Sequence, residues 1–247
     1  MFNFNIDRKT ILIALGIMIL FSLITAGTET ILDKLLILPG VLIALTFHEF
    51  AHAYVADKLG DETPRLQGRL NLNPISHVDP IGFIFLLFAG FGWGKPVQIN
   101  PRNFNGKYSL SKAEALVAVA GPVMNFIVAF ITLIIFYVVF YVTNWYAIMS
   151  ANVASIVATI LMYTASINVS LGVFNLIPLP PLDGSKVLFH FLPVNGRQWF
   201  YKNEQIFYIV FILLWVTGLA SVFLQPIFSS VFSGIDWVVG NLIGLFI

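Results

Sequence analysis

Residues 41–55 read VLIALTFHEFAHAYV, an apolar run that carries two histidines and a glutamate within about one helical turn. His48 and His52 stand at i and i+4, so on a helix they share one face. Two imidazoles so placed can bind one zinc ion. Glu49 is rotated by about 100° from His48. It lies beside the metal and can take a proton from a metal-activated water. With four histidines in the chain, chance supplies on the order of 0.001 such motifs. The competing explanation is a buried helix whose polar groups are satisfied by neighbours. Energetics weighs against it, because ionisable side chains are costly in hydrocarbon and mark functional positions there.

The surrounding composition shows that lipid is the solvent for much of the chain. Of 247 residues, 58% are hydrophobic and 10% charged, against roughly a quarter charged in a soluble domain. The mean hydropathy is +0.89. So few charges cannot cover a soluble surface of this size. The net charge is +1, and no basic run interleaved with aromatics appears, which excludes a nucleic-acid partner. Cysteine is absent, which removes disulfides, thiol nucleophiles and cysteine zinc sites together.

Five stretches approach the roughly 20 apolar residues that cross a bilayer: 11–26, 35–55, 113–142, 153–177 and 206–224. The first follows Arg8 and Lys9, lacks a small-x-small cleavage site and is expected to be a retained transmembrane helix. Residues 81–93 are too short to span and rich in glycine, as a re-entrant or interfacial segment would be. Residues 227–247 carry Asp236 and glycines, and form either a sixth span or a helix lying on the membrane. The expected fold is an all-α polytopic membrane protein with about six transmembrane helices. A single transmembrane domain is expected over 1–247, with a short re-entrant β or loop segment. Alternating spans place every lysine and arginine except Lys34 on one side, which the positive-inside rule makes cytoplasmic. The N-terminus is then inside, in a multi-pass protein of the cell membrane.

A tetrahedral catalytic zinc needs a third protein ligand and one open position. His77 lies in a polar loop and His190 follows apolar residues near Lys186. The stronger candidate is Asp183, in NLIPLPPLDG at 175–184. Pro178, Pro180 and Pro181 remove backbone donors and prevent a regular helix. Such backbone is tolerated at membrane depth only where it is buried in protein or lines a wet cavity. An acid there is well placed to meet a metal; alone, it would be an ordinary interfacial turn.

The two motifs together resemble the paired signatures of the site-2 proteases, the intramembrane metalloproteases. His48, Glu49 and His52 match the first. Asn175, Pro178, Pro180, Leu182, Asp183 and Gly184 match the second, N-x-x-P-x-P-x-L-D-G. The resemblance implies one zinc per chain held by His48, His52 and Asp183, with Glu49 as general base. It implies a core of three spans over approximately 35–186. The substrate would be a transmembrane protein or peptide. No room remains for a PDZ or CBS domain, so the chain looks like a minimal member. Its oligomeric state is not indicated.

Other features are less specific. Asn125, in AGPVMN at 120–125, is a candidate for contacting substrate or the developing oxyanion, and so is Asn175; a helix–helix contact explains either equally well. Residues 68–82 are rich in turn formers; His77 and Asp79 there are candidates for touching the site, but a capped loop with a solvated histidine is the favoured expectation. Residues 92–101 alternate polar and apolar after Trp93, as a strand edge offered to an unwound substrate would. Two other functions compete with proteolysis. A membrane zinc carrier would need no base and would show paired polar half-sites, whereas one site is visible. An inactive scaffold would not need the intact ligand set and base.

Overall fold

The computed structural model describes residues 28–89, 94–143 and 145–245. In chain order its helices are α1 (Thr28–Lys58), α2 (Thr63–Leu66), α3 (Pro74–His77), α4 (Pro80–Ala89), α5 (Leu110–Tyr137), α6 (Trp145–Ile148), α7 (Ala151–Asn175), α8 (Asp183–Phe191), α9 (Val194–Lys202), α10 (Glu204–Val216) and α11 (Leu219–Gly244). A 3₁₀ turn, Pro101–Asn103, precedes α5, and a π turn, Val138–Val142, ends it. Helices α1, α5 and α7 pack against one another pairwise, the three-span core expected from the sequence. Helix α8 lies against α5, and α11 covers α5 and α7.

The sequence of α5 shows why this bundle belongs in lipid. Val123, Ile127, Ile131 and Ile135 recur every fourth residue and are all exposed. Facing water, each would forgo about 1.5–3 kcal/mol of burial free energy. The opposite face carries Ala118, Gly121, Asn125, Ala129 and Thr132, all buried. Small residues let the helices approach closely, which matters because apolar lipid supplies no hydrophobic drive between them. A Cβ on Gly40 of α1 would lie 2.9 Å from Thr164 Cα of α7. A Cβ on Gly172 of α7 would lie 2.9 Å from the Phe126 ring of α5. Ala129, Val169 and Val173 then close a core into which Phe228 and Phe232 of α11 pack. Asp236, an acid in the middle of α11, accepts a hydrogen bond from Tyr137 Oη at 3.0 Å.

Among the described residues, four helices are long and apolar enough to cross a bilayer: Leu32–Lys58, Leu110–Val142, Ala151–Asn175 and Leu219–Gly244. The first three match the expected spans to within a few residues; the expected span at 11–26 lies outside the described residues. The span expected at 206–224 is corrected. The chain turns at Gly218, whose φ of 73° is left-handed, so α10 stops after 13 residues. The span-length helix lies beyond that turn and takes in most of 227–247. Hydropathy is blind to such a turn, because apolar runs lie on both sides of Thr217 and Gly218.

On the side where α1 ends, a polar lobe wraps the helix. Asp61 is fully buried and accepts hydrogen bonds from Thr63 N (3.1 Å), Thr63 Oγ1 (2.5 Å), Asn100 N (2.7 Å) and Asn103 Nδ2 (2.9 Å). Burial pushes the Asp61 carboxyl up, but these four donors outweigh it and hold it below the usual carboxylate range. Residues 94–103 are thereby tied to the end of α1. Val78 and Gly94 form an isolated antiparallel bridge, so the segment carrying α4 leaves and returns at one point. No ladder of strands forms at 94–101 among the described residues.

Candidate active site

Helix α1 places His48 and His52 one turn apart, with their Nε2 atoms 3.0 Å from each other. Asp183, the first residue of α8, brings Oδ2 to 3.1 Å from His48 Nε2 and 3.2 Å from His52 Nε2. Three potential ligand atoms thus converge from two ends of the sequence. The backbone at 176–184 explains how Asp183 gets there. Leu179 N bonds Ile177 O at 2.8 Å and Leu182 N bonds Leu179 O at 2.9 Å, folding the proline-rich loop tightly. Gly184 is needed next to Asp183, because a Cβ there would collide with the carbonyl oxygens of Leu176 and Ile177.

The far nitrogens of both imidazoles are committed. His52 Nδ1 lies 2.7 Å from Val117 O, which can only accept, so Nδ1 carries the hydrogen. His48 Nδ1 lies 2.7 Å from Asn125 Oδ1. The Asn125 amide nitrogen donates to Ala44 O at 3.1 Å and to Asn168 Oδ1 at 3.0 Å, so its oxygen is the end that faces His48. His48 therefore donates from Nδ1 as well. With both imidazoles neutral, each Nε2 presents a lone pair towards Asp183 Oδ2, which is buried and has no other hydrogen-bond partner. Three lone pairs within 3.2 Å of one another repel unless a cation lies between them. A tetrahedron with bonds of about 2.0–2.1 Å has edges of about 3.3–3.4 Å, close to the observed spacing. Two imidazoles and one carboxylate, each imidazole oriented by a partner on its other nitrogen, make a donor set of the kind that binds zinc.

Gly121 of α5 is the floor of this site. A Cβ there would lie 2.5 Å from His52 Nε2 and 2.6 Å from His48 Cε1. Glu49 stands outside the ligand set: its Oε2 accepts the Val97 N–H at 2.9 Å.

The other sequence candidates fall elsewhere. Asn125 is fully buried behind His48 with its oxygen and both amide hydrogens engaged, so it has no donor left for an oxyanion. Asn175 donates back to Leu171 O at 3.0 Å, at the end of α7. Asp79 accepts from Ile81 N and Gly82 N at the start of α4. His190 lies 3.3 Å from Ser111 Oγ, outside the cluster. The expectation of a solvated His77 is corrected: the side chain is fully buried, with Nε2 2.8 Å from Asn71 O. Burial pushes its imidazole below the usual histidine range. Turn-forming neighbours suggested solvent, but the loop folds over the ring. Sequence reasoning missed Asn168, whose amide extends the chain behind His48 to Thr164 O at 2.8 Å. An amide inside an apolar span was the available signal.

Comparison with known proteins bears on what this site does. The profile of peptidase family M50 matches residues 141–218, the stretch that contains Asp183. A Bacillus subtilis protein named "Putative zinc metalloprotease YwhC" is 41% identical over 190 residues, covering 77% of this chain and 84% of the relative. The chain belongs to peptidase family M50, the site-2 proteases. Proteins named "Putative zinc metalloprotease Rip2" are more distant members. That of Mycolicibacterium smegmatis is 27% identical over 82% of this chain and 75% of its own. That of Mycobacterium tuberculosis is 26% identical over 85% and 74%. No solved structure matches the chain at a significant level. Membership in this family makes the chain a membrane metalloprotease, with the three converging side chains at its candidate metal centre.

Proposed function

We propose that this M50 peptidase cuts transmembrane proteins within or beside the bilayer of the cell membrane. In this proposal one zinc is held by His48, His52 and Asp183, and Glu49 is the general base. The N-terminus and the lobe at 57–112 face the cytoplasm, as the lysine and arginine bias requires.

A bound zinc ion supplies Lewis acidity, polarising the scissile carbonyl and lowering the pKa of the attacking water towards neutrality. The rest falls to the chain. Asn125 and Val117 O orient the two imidazoles through their Nδ1 hydrogens. Glu49 Oε2 is held by Val97, which leaves Oε1 to take the water proton and pass it to the leaving nitrogen. The backbone of 94–97 is already engaged, but the Gln98 and Ile99 peptides carry no hydrogen bond among the described residues. They are the edge on which an unwound substrate can pair.

The observation that carries this proposal is the convergence of both Nε2 atoms on one buried carboxylate oxygen, with a second carboxylate beside them. The test is Glu49→Gln against His52→Ala and Asp183→Ala. Glu49→Gln keeps about one zinc per chain while cleavage falls by about 10²-fold or more, and uncleaved transmembrane proteins accumulate in its membranes. The ligand variants lose zinc and activity together. A Glu49→Gln protein that cleaves at the wild-type rate refutes the mechanism. Zinc transport without cleavage by either form would identify a carrier.

A further inference from the structure

We propose that Arg69 is a positioning residue for the catalytic base: its guanidinium holds the Pro96–Val97 peptide so that the Val97 N–H fixes the Glu49 carboxylate. This rests on Glu49 acting as the base.

Arg69 is 6% exposed, unusual for an arginine, and it forms no ion pair among the described residues. Its Nη2 donates to Lys95 O at 2.6 Å and to Pro96 O at 2.9 Å. The Pro96 carbonyl and the Val97 N–H belong to one peptide unit. The chain of contacts therefore runs from guanidinium to Pro96 O, across that peptide, and from Val97 N to Glu49 Oε2 at 2.9 Å. A cationic donor on the carbonyl polarises the peptide and strengthens the bond its N–H gives. Lys95 precedes Pro96 and is confined to extended conformations, and its own N–H is tied to His77 O at 2.8 Å. Gly94 completes the shelf: a Cβ there would lie 3.2 Å from His77 O and 4.0 Å from Glu49 Oε1.

The local sequence aims Arg69 inward. Gly68 has φ of 65° and follows α2, with Gly68 N bonded to Arg65 O at 3.0 Å and Arg69 N to Pro64 O at 2.8 Å. This pair of bonds is a Schellman closure, which reverses the chain just where Arg69 begins. One guanidinium nitrogen, Nη2, carries two hydrogens and so serves both adjacent carbonyls. In this role Arg69 touches neither substrate nor metal. It acts by holding a carboxylate whose misplacement by about 1 Å can cost on the order of 10²-fold in rate.

The test compares Arg69→Met, Arg69→Lys and Val97→Pro in the full-length protein. The substrate is the transmembrane protein that accumulates uncleaved in Glu49→Gln membranes. Val97→Pro deletes one N–H from an extended segment and leaves Arg69 in place. Arg69→Met and Val97→Pro are each expected to lower kcat by about 10- to 100-fold. KM stays within about twofold, because substrate binding is untouched. Zinc remains near one per chain; Tm falls in Arg69→Met, which leaves two carbonyls without their donor, and the Val97→Pro readout does not depend on it. Arg69→Lys restores kcat to within about threefold, since its ammonium keeps both the cation and the donors for two carbonyls. The double variant is no worse than the poorer single, because both act on one chain of bonds.

Wild-type kcat in Val97→Pro overturns the proposal even if Arg69→Met misfolds. So does a double variant whose losses multiply, or an Arg69→Lys protein as impaired as Arg69→Met. Glu49→Gln cleaving at the wild-type rate would sink the base itself. An inactive Glu49→Gln beside fully active Arg69→Met and Val97→Pro would sink only the positioning role.

Discussion

Gly121→Ala is expected to strip the metal from a protein that still folds. Two effects of the added methyl oppose each other. Alanine is the better helix former, by about 0.8–1.0 kcal/mol, so the isolated helix gains stability. Against that, the new Cβ would sit 2.5 Å from His52 Nε2, 2.6 Å from His48 Cε1 and 2.7 Å from His52 Cε1. Carbon meets such atoms comfortably at about 3.5–4.0 Å, so roughly 1 Å must be found. Neither ring can yield freely, since His48 is held by Asn125 and His52 by Val117 O. Overpacking of this kind costs about 1–3 kcal/mol. The cost falls on the geometry of the ligand pair rather than on the whole bundle. At 1.4 kcal/mol per factor of ten, zinc affinity should fall by about 5- to 150-fold. In the apo protein the rings are not pinned by an ion, so the clash is partly relieved and is offset by the helix gain, and the unfolding temperature should change little. Competition with a chromophoric zinc chelator gives the affinity, and thermal unfolding of the apo protein gives the stability. A Gly121→Ala protein with wild-type zinc affinity and wild-type cleavage would show that α5 does not form the floor of the site.

Asn125→Ala leaves His48 Nδ1–H without its acceptor, so zinc affinity should fall by about 10- to 100-fold; a protein that keeps its zinc but loses kcat would instead restore the oxyanion role. Asp61→Asn removes a buried carboxylate with four donors and should cost about 1–3 kcal/mol at neutral pH, read as a lower unfolding temperature. Because the Asp61 carboxyl is held below its usual range, its contribution is present above about pH 4 and lost as pH falls through the folded value. The gap between wild type and Asp61→Asn should therefore close on acidification, and a gap that widens would refute the sign. Since the chain has no cysteine, a Cys at Thr143 should react with an impermeant thiol reagent in intact cells while a Cys at Asn195 should not; the reverse pattern inverts the topology.

What the sequence disclosed of the site follows the range of the interactions involved. His48, Glu49 and His52 were legible because an i, i+4 relation is local and a helix converts it directly into geometry. Asp183 was legible only beside that motif, because prolines and an acid at the end of an apolar run read, alone, as an ordinary interfacial turn. The three-helix core was implied by the family resemblance; span length gave five or six candidate helices without saying which of them pack together. The residues that orient the ligands were not legible in this way. Asn125 meets His48 across 77 residues and Val117 O meets His52 across 65, and no spacing rule encodes such a distance. A backbone carbonyl has no identity in the sequence at all.

Charge shows the same divide from the other side. Counted along the chain, Arg69 is one of thirteen lysines and arginines that set the orientation in the membrane, where a solvated residue would do. Arg65, four residues earlier, fits that description: it is exposed and paired with Asp57 at 2.6 Å, a contact of the sort that contributes little to stability. Arg69 is buried instead, because Gly68 adopts a left-handed turn and the Gly94–Val97 backbone returns beneath it with two free carbonyls. The same burial took His77 from the solvent expected of a polar loop. Composition cannot separate these residues from their exposed neighbours, because the polar atoms that satisfy them are mostly main-chain. Asn71 O serves His77, and the carbonyls of Lys95 and Pro96 serve Arg69. A loop rich in glycine, proline and asparagine therefore reads as solvated when it is instead the scaffold that presents a peptide N–H to Glu49.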